Sequence, residues 1–126
     1  MGIVFRYLAY CKAQKEKNLS AVIKRLSFKV DKNGIYLMDG KIDVAKKLGS
    51  KLRSAELEKI VPEVAAVYQA EVIRLTAKEL TSLNNQADKM IIIEGRGYTL
   101  DYLPADLRVK LVADPSIRAE RRWAQE

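Results

Sequence analysis

The chain has 126 residues, 48% of them apolar and 31% charged, enough for one ordinary domain with a core. Its net charge of +7 suits anionic partners such as phosphates, nucleotides or nucleic acid. It contains no histidine and a single cysteine, Cys11, which excludes Ser-His and Cys-His nucleophile pairs, an internal disulfide and most transition-metal sites.

In chain order, residues 2–17 read as a helix with Ile3, Phe5, Leu8 and Ala9 on its apolar face. Asn18 and Ser20 can cap or begin a second short helix through Leu26, with Val22, Ile23 and Leu26 inward. The period then changes from helix to strand. Ser27–Asp31 and Ile35–Asp39 flank Lys32-Asn33-Gly34, and Asn-Gly is a strong hairpin signal. A second turn follows at Asp39-Gly40. Residues 43–48 read as a helical turn ended by Gly49.

Ser54 is an N-cap for a helix over 55–61, and Pro62 is expected to restart a long helix to about Leu83. Val64, Val67, Tyr68, Val72 and Leu75 mark the buried stripe of that helix. Met90-Ile91-Ile92-Ile93 is short, apolar and β-branched, as expected of a strand covered on both faces, and it runs into Gly95-Arg96-Gly97. After a loop through Pro104, Leu107–Ala113 reads as a second buried strand. Asp114-Pro115 then starts a helix to the terminus. Strand, loop, strand and helix suggest part of a parallel α/β sheet. Two strands do not complete such a sheet, so a homo-oligomer or a partner protein is expected to supply cover.

No apolar run approaches the roughly 18 residues a membrane helix needs. The stretch Met1-Gly2-Ile3-Val4-Phe5-Arg6 lacks the marks of a signal peptide, so the expected location is cytoplasmic, without a membrane partner.

Candidate chemistry rests on arginines. A strand ending in Gly-Arg-Gly would put Arg96 at the carboxyl edge of a sheet, where a guanidinium can grip phosphate with two parallel hydrogen bonds. A tight turn with a solvated arginine fits the same residues. Arg6 reads first as a surface arginine on a helix, with a site as the alternative. Arg118, Arg121 and Arg122 lie at helical spacing, as a solvated basic face or as an RNA or phosphate footprint. The acids fall mostly at turns and caps and form no general acid/base pair. Neither G-x-x-x-x-G-K-[ST] nor G-x-G-x-x-G occurs, so nothing in the 126 residues cradles a triphosphate. No catalytic residue, metal site or resident cofactor is expected.

The order of the segments carries more than any one of them. Gly2-Ile3-Val4-Phe5-Arg6 resembles the Gly-Ala-Ile-Tyr-Arg stretch of bacterial cytidylate kinases. Asp39-Gly40-Lys41-Ile42-Asp43-Val44 with Leu52-Arg53-Ser54-Ala55-Glu56-Leu57 resembles their hairpin and the segment after it. Ile93-Glu94-Gly95-Arg96, Pro104, Leu107–Asp114 and Arg118-Ala119-Glu120-Arg121-Arg122 resemble their Gly-Arg-Asp loop, core strand and arginine-rich helix.

The resemblance implies an α/β fold: a partial P-loop-kinase-like core of two buried parallel strands with helices, plus a helical and β-hairpin monophosphate-binding insert. It places one domain over 1–126, the insert over 27–61, and the long helix, core strands and C-terminal helix over 62–126. The family transfers phosphate from ATP to CMP or dCMP with Mg²⁺, and the chain matches its middle, without P-loop or lid. By resemblance Arg6 and Arg96 hold the acceptor phosphate, and Arg53 lies in the monophosphate-binding insert.

Gly97 replaces the family's aspartate after Gly-Arg, a form that also resembles a looser cytidylate-kinase-like group. The family's base-contacting serine and arginine fall at about Pro62 and Glu71, which puts cytosine specificity in question. Three functions follow. The first is a kinase-derived protein that binds a nucleoside monophosphate or another phosphate ligand and does not catalyse transfer alone. The second is half of a nucleoside-monophosphate kinase completed by another chain. The third is a non-enzymatic module that binds RNA or protein.

Overall fold

The computed structural model describes residues 2–84, 90–95 and 97–124, with the backbone alone at Asn84, Gly97 and Tyr98. The first helix, α1, spans Gly2–Ala13 and buries Val4, Tyr7, Leu8, Ala9 and Cys11. Positions 4, 7, 8 and 11 are one helical face, so the inward side is rotated from the expected one and Ile3 and Phe5 are only half-buried. The helix also stops earlier than residue 17. Lys15 adopts φ +63°, and the amides of Lys15 and Glu16 donate back to the carbonyls of Lys12 and Cys11. This is a left-handed C-terminal closure made without the glycine that usually signals it.

Helix α2 (Leu19–Arg25) is capped by Asn18, whose side chain accepts from the Ala21 amide at 3.0 Å. Strands β1 (Leu26–Asp31) and β2 (Gly34–Asp39) pair antiparallel from Leu26 opposite Asp39 to Asp31 opposite Gly34. The turn residues are Lys32 and Asn33, and Asp31 accepts from the Asn33 amide at 2.7 Å. Gly34 follows the turn with φ +145°, a conformation that favours glycine. Gly40 turns the chain into β3 (Ile42–Asp43), which pairs antiparallel with β2. Asp43 then caps α3 (Val44–Leu48) by accepting from the Lys46 amide at 2.9 Å. Gly49, at φ +52°, redirects the chain into a 3-10 turn over Gly49–Arg53.

Helix α4 is continuous over Ala55–Asn84, with Pro62 inside it. Proline has no N–H to give the Glu58 carbonyl, an interruption that costs about 3 kcal/mol in a helix interior. The break expected at Pro62 nevertheless does not occur. Leu57, Val64, Val72 and Leu75 are all buried on one stripe that runs past it, and Pro62 faces outward. Burying side chains on both flanks, at about 1.5–3 kcal/mol each, outweighs one lost hydrogen bond. Val67, expected in the stripe, lies on the exposed side at 67%.

The core gathers α1, α2, the hairpin, α3, the 3-10 turn and α4 around Leu8, Leu37, Val22, Val44, Val64 and Val72. Four glutamates of α4 tie the surrounding elements to it. Glu58 accepts from Arg6, Glu63 from Lys12, Glu71 from Ser20, and Glu79 from the Phe28 amide on the outer edge of β1. The last bond covers an unpaired strand donor that would otherwise invite edge pairing.

The expected buried parallel strands at 90–94 and 107–113 are corrected. The described residues of both segments form no strand, and the sheet of the described residues is the antiparallel order β1-β2-β3. Met90, Ile92, Leu107, Val109, Leu111 and Val112 are all exposed. A parallel strand needs neighbours to complete its ladder, and none lies beside either segment among the described residues.

Between them α5 (Gly97–Leu100) is a short helix where a loop was expected. Arg108 closes it by donating from Nη1 to the Leu100 carbonyl at 2.7 Å and from Nη2 to the Leu103 carbonyl at 2.6 Å. Helix α6 (Pro115–Trp123) begins as read, with Asp114 accepting from the Ser116 amide at 2.8 Å, and it buries no residue. Among the described residues no helix is long and apolar enough to cross a membrane.

Candidate phosphate-binding cleft

Val44, Leu48 and Leu52 are buried, and they pin α3 and the 3-10 turn to the core. In a 3-10 turn residues three apart eclipse one another, so Ser50 and Arg53 share one edge, next to the edge that carries Gly49 and Leu52. On α1, Ile3 and Arg6 are likewise three apart and lie beside the buried face that Val4 and Tyr7 define. These two edges face each other across a cleft of about 430 Å³ lined by Ile3, Arg6, Ala45, Gly49, Ser50, Leu52 and Arg53. Two of the arginines singled out in the sequence thus meet at one cavity. Arg96 lies outside the described residues. Before it, Gly95 is close-packed: a Cβ there would stand 3.0 Å from Leu100 Cδ2.

Arg6 and Arg53 make the cleft cationic. Arg6 keeps 35% of its side-chain surface exposed and donates from Nε to Glu58 Oε1 at 3.0 Å. Arg53 makes no side-chain hydrogen bond among the described residues and stands at the exposed end of the turn. With Ser50 in the same lining, the side chains offered include donors of the kind that phosphate oxygens accept. Magnesium prefers oxygen ligands, usually with a carboxylate among them. The lining holds no carboxylate, and no cluster of three metal-ligating side chains forms among the described residues. The residues present therefore fit a phosphate rather than a metal ion.

The positions that resemblance assigns to base recognition are differently occupied. Pro62 sits on the outer face of α4, and the Glu71 carboxylate accepts from Ser20 Oγ at 3.0 Å. Neither repeats the serine and arginine of the family pattern.

A buried polar cluster beneath the hairpin was not legible beforehand. Asp39, only 9% exposed, accepts from Tyr7 Oη at 2.5 Å and from Arg25 Nε at 2.7 Å. Burial pushes the Asp39 carboxyl up, but the bonds from Arg25 and Tyr7 outweigh it and hold the group below its ordinary value. The Tyr7 phenol is pushed well up by burial and by Asp39, and stays protonated as the donor. Burial also raises the Cys11 thiol, which keeps it an inert core group. The cluster locks α1, α2 and β2 together. The only sequence trace of it was an aspartate before Gly40, which any tight turn would carry.

No curated protein and no solved structure matches the chain significantly. The family model for cytidylate kinase matches residues 1–126, the whole chain. With the ordered motifs and the arginine-lined cleft, that match makes this chain a member of the cytidylate kinase family.

Proposed function

We propose that the chain binds the phosphate of a nucleoside monophosphate in the cleft between Arg6 and Arg53, and that it does not transfer phosphate on its own. The observation that carries the reading is the convergence of Arg6 and Arg53, far apart in sequence, on one cavity that Ser50 also lines. Family membership supports a nucleotide as the ligand, and Arg96 of Gly95-Arg96-Gly97 is assigned as a third phosphate ligand on the resemblance alone. The inactive half of the proposal rests on the absence from these 126 residues of a glycine-rich, lysine-bearing cradle for a donor triphosphate. With Pro62 and Glu71 at the base-recognition positions, discrimination among bases is weak, because the groups that would be left unpaired by a wrong base are gone.

Calorimetric titration with CMP, UMP, AMP and inorganic phosphate tests this. The expected result is similar affinity for the three nucleotides. Arg53→Ala should weaken each by roughly tenfold to a hundredfold, the worth of a hydrogen bond to a charged group. Equal binding by Arg53→Ala would remove the cleft as the site.

A second reading is favoured by one observation, the exposed apolar segments 90–93 and 107–112. Met90 at 89%, Ile92 at 81% and Leu111 at 93% exposure are costly to leave in water. In that reading the segments become parallel strands when a second chain supplies their neighbours, and the assembly is a complete kinase. Light scattering that finds a monomer at all concentrations, with or without an added P-loop polypeptide, argues against it.

A further inference from the structure

Resting on the phosphate-cleft reading, we propose that Glu58 is a positioning residue for that site. It takes the Nε–H of Arg6 and so presents the Nη1/Nη2 edge of the guanidinium to the incoming phosphate. A guanidinium has two edges with which it can form a paired contact, one made of Nε and a terminal nitrogen and one made of the two terminal nitrogens. The Arg6 Nε–Glu58 Oε1 bond of 3.0 Å commits the first edge. Arg6 lines the cleft and Glu58 does not, so the ion pair holds Arg6 from outside the lining.

Both ends of the pair are anchored. Tyr7, next to Arg6, is 8% exposed, and Leu57, next to Glu58, is 4% exposed, so the two backbones are held by the core. Glu58 also lies in the first turn of α4, where a carboxylate is favoured by the helix dipole. An unheld arginine must give up rotamer freedom when it grips a ligand, and a side chain already tethered at Nε has given up part of it. The negative charge of Glu58 acts in the opposite sense by repelling phosphate. At 47% side-chain exposure that repulsion is screened, which leaves positioning as the larger effect.

The two contributions separate by substitution. Glu58→Gln keeps an acceptor and removes the charge, whereas Glu58→Ala removes both. Titrated with CMP and with inorganic phosphate, Glu58→Ala is expected to bind about three- to tenfold more weakly, and Glu58→Gln to bind as tightly as the unsubstituted chain or more tightly. A spectroscopic reading needs no variant. The Arg6 Nε–H proton should exchange slowly with water and remain protected when inorganic phosphate is added.

Unchanged or tighter binding by Glu58→Ala, alongside weakened binding by Arg53→Ala, overturns the role of Glu58 and leaves the cleft standing. Loss of Nε–H protection on adding phosphate overturns it too, because the carboxylate would then be displaced rather than positioning. Absence of phosphate and CMP binding by the unsubstituted chain overturns both the role and the cleft.

Discussion

Residues 2–84 and residues 90–124 draw on similar apolar side chains and dispose of them in opposite ways. In the first region Val4, Leu8, Val22 and Val72 are 0% exposed. In the second, Leu103 is the buried large apolar side chain among the described residues, while Leu107, Val109, Leu111 and Val112 stand in water. The difference lies in where backbone hydrogen bonds can be made. Helices α1, α2 and α4 satisfy theirs internally, and β1 and β2 are joined by a turn that brings each its partner. Segments 90–93 and 107–113 have strand composition but no adjacent strand among the described residues, so nothing draws their side chains inward. An apolar sequence buries itself only when its backbone has somewhere to bond.

The largest effect that tests this contrast is core truncation. Leu8→Ala is expected to lower unfolding stability by about 2–5 kcal/mol, as removal of a fully buried leucine does. Leu111→Ser should stay within about 0.5 kcal/mol when measured in dilute solution. Denaturant titration of the two variants reads the difference. A loss at Leu111 comparable to that at Leu8 would show the second region packed against something.

A smaller effect sharpens the first region. Asp39→Asn is expected to cost about 2 kcal/mol near neutral pH, since it removes the charge that Arg25 and Tyr7 bond to. The folded-state carboxyl titrates below its ordinary value near 3.8, so this stabilisation is present above about pH 4. It fades as pH falls through the folded value. The stability gap between the unsubstituted chain and Asp39→Asn should therefore narrow in acid. A gap that stays constant from neutral pH to about pH 2 would mean that shape, not charge, is what Asp39 supplies.

Local chemistry made much of the first region legible in the sequence. Asn18 caps the helix that follows, as a short polar side chain before an apolar run implies, and in the second region Asp114 before Pro115 does the same for α6. The hairpin arms fall within a residue of their expected bounds, because alternation and Asn33-Gly34 constrain them together. Pro62 misled, since its local cost is overruled by the buried stripe, which the core extends back past the proline to Leu57. Lys15 gave no warning of ending α1, because a left-handed lysine carries no compositional mark. The strands at 90–94 and 107–113 were expected from composition, which reports what a segment could do with neighbours and not whether they exist.

At the site, Arg6 and Arg53 were reached through resemblance, and the structure brings both to one cavity. Glu58 escaped notice because its partner lies on another helix, and no spacing within α4 reveals a contact with α1.

The central claim, that phosphate is held between α1 and the 3-10 turn, is tested most directly by mapping inorganic phosphate onto the chain by NMR titration. The account predicts saturable shifts at Arg6, Ser50 and Arg53, with the arginines Arg118, Arg121 and Arg122 of α6 unmoved. Shifts confined to α6, or none anywhere, would contradict it.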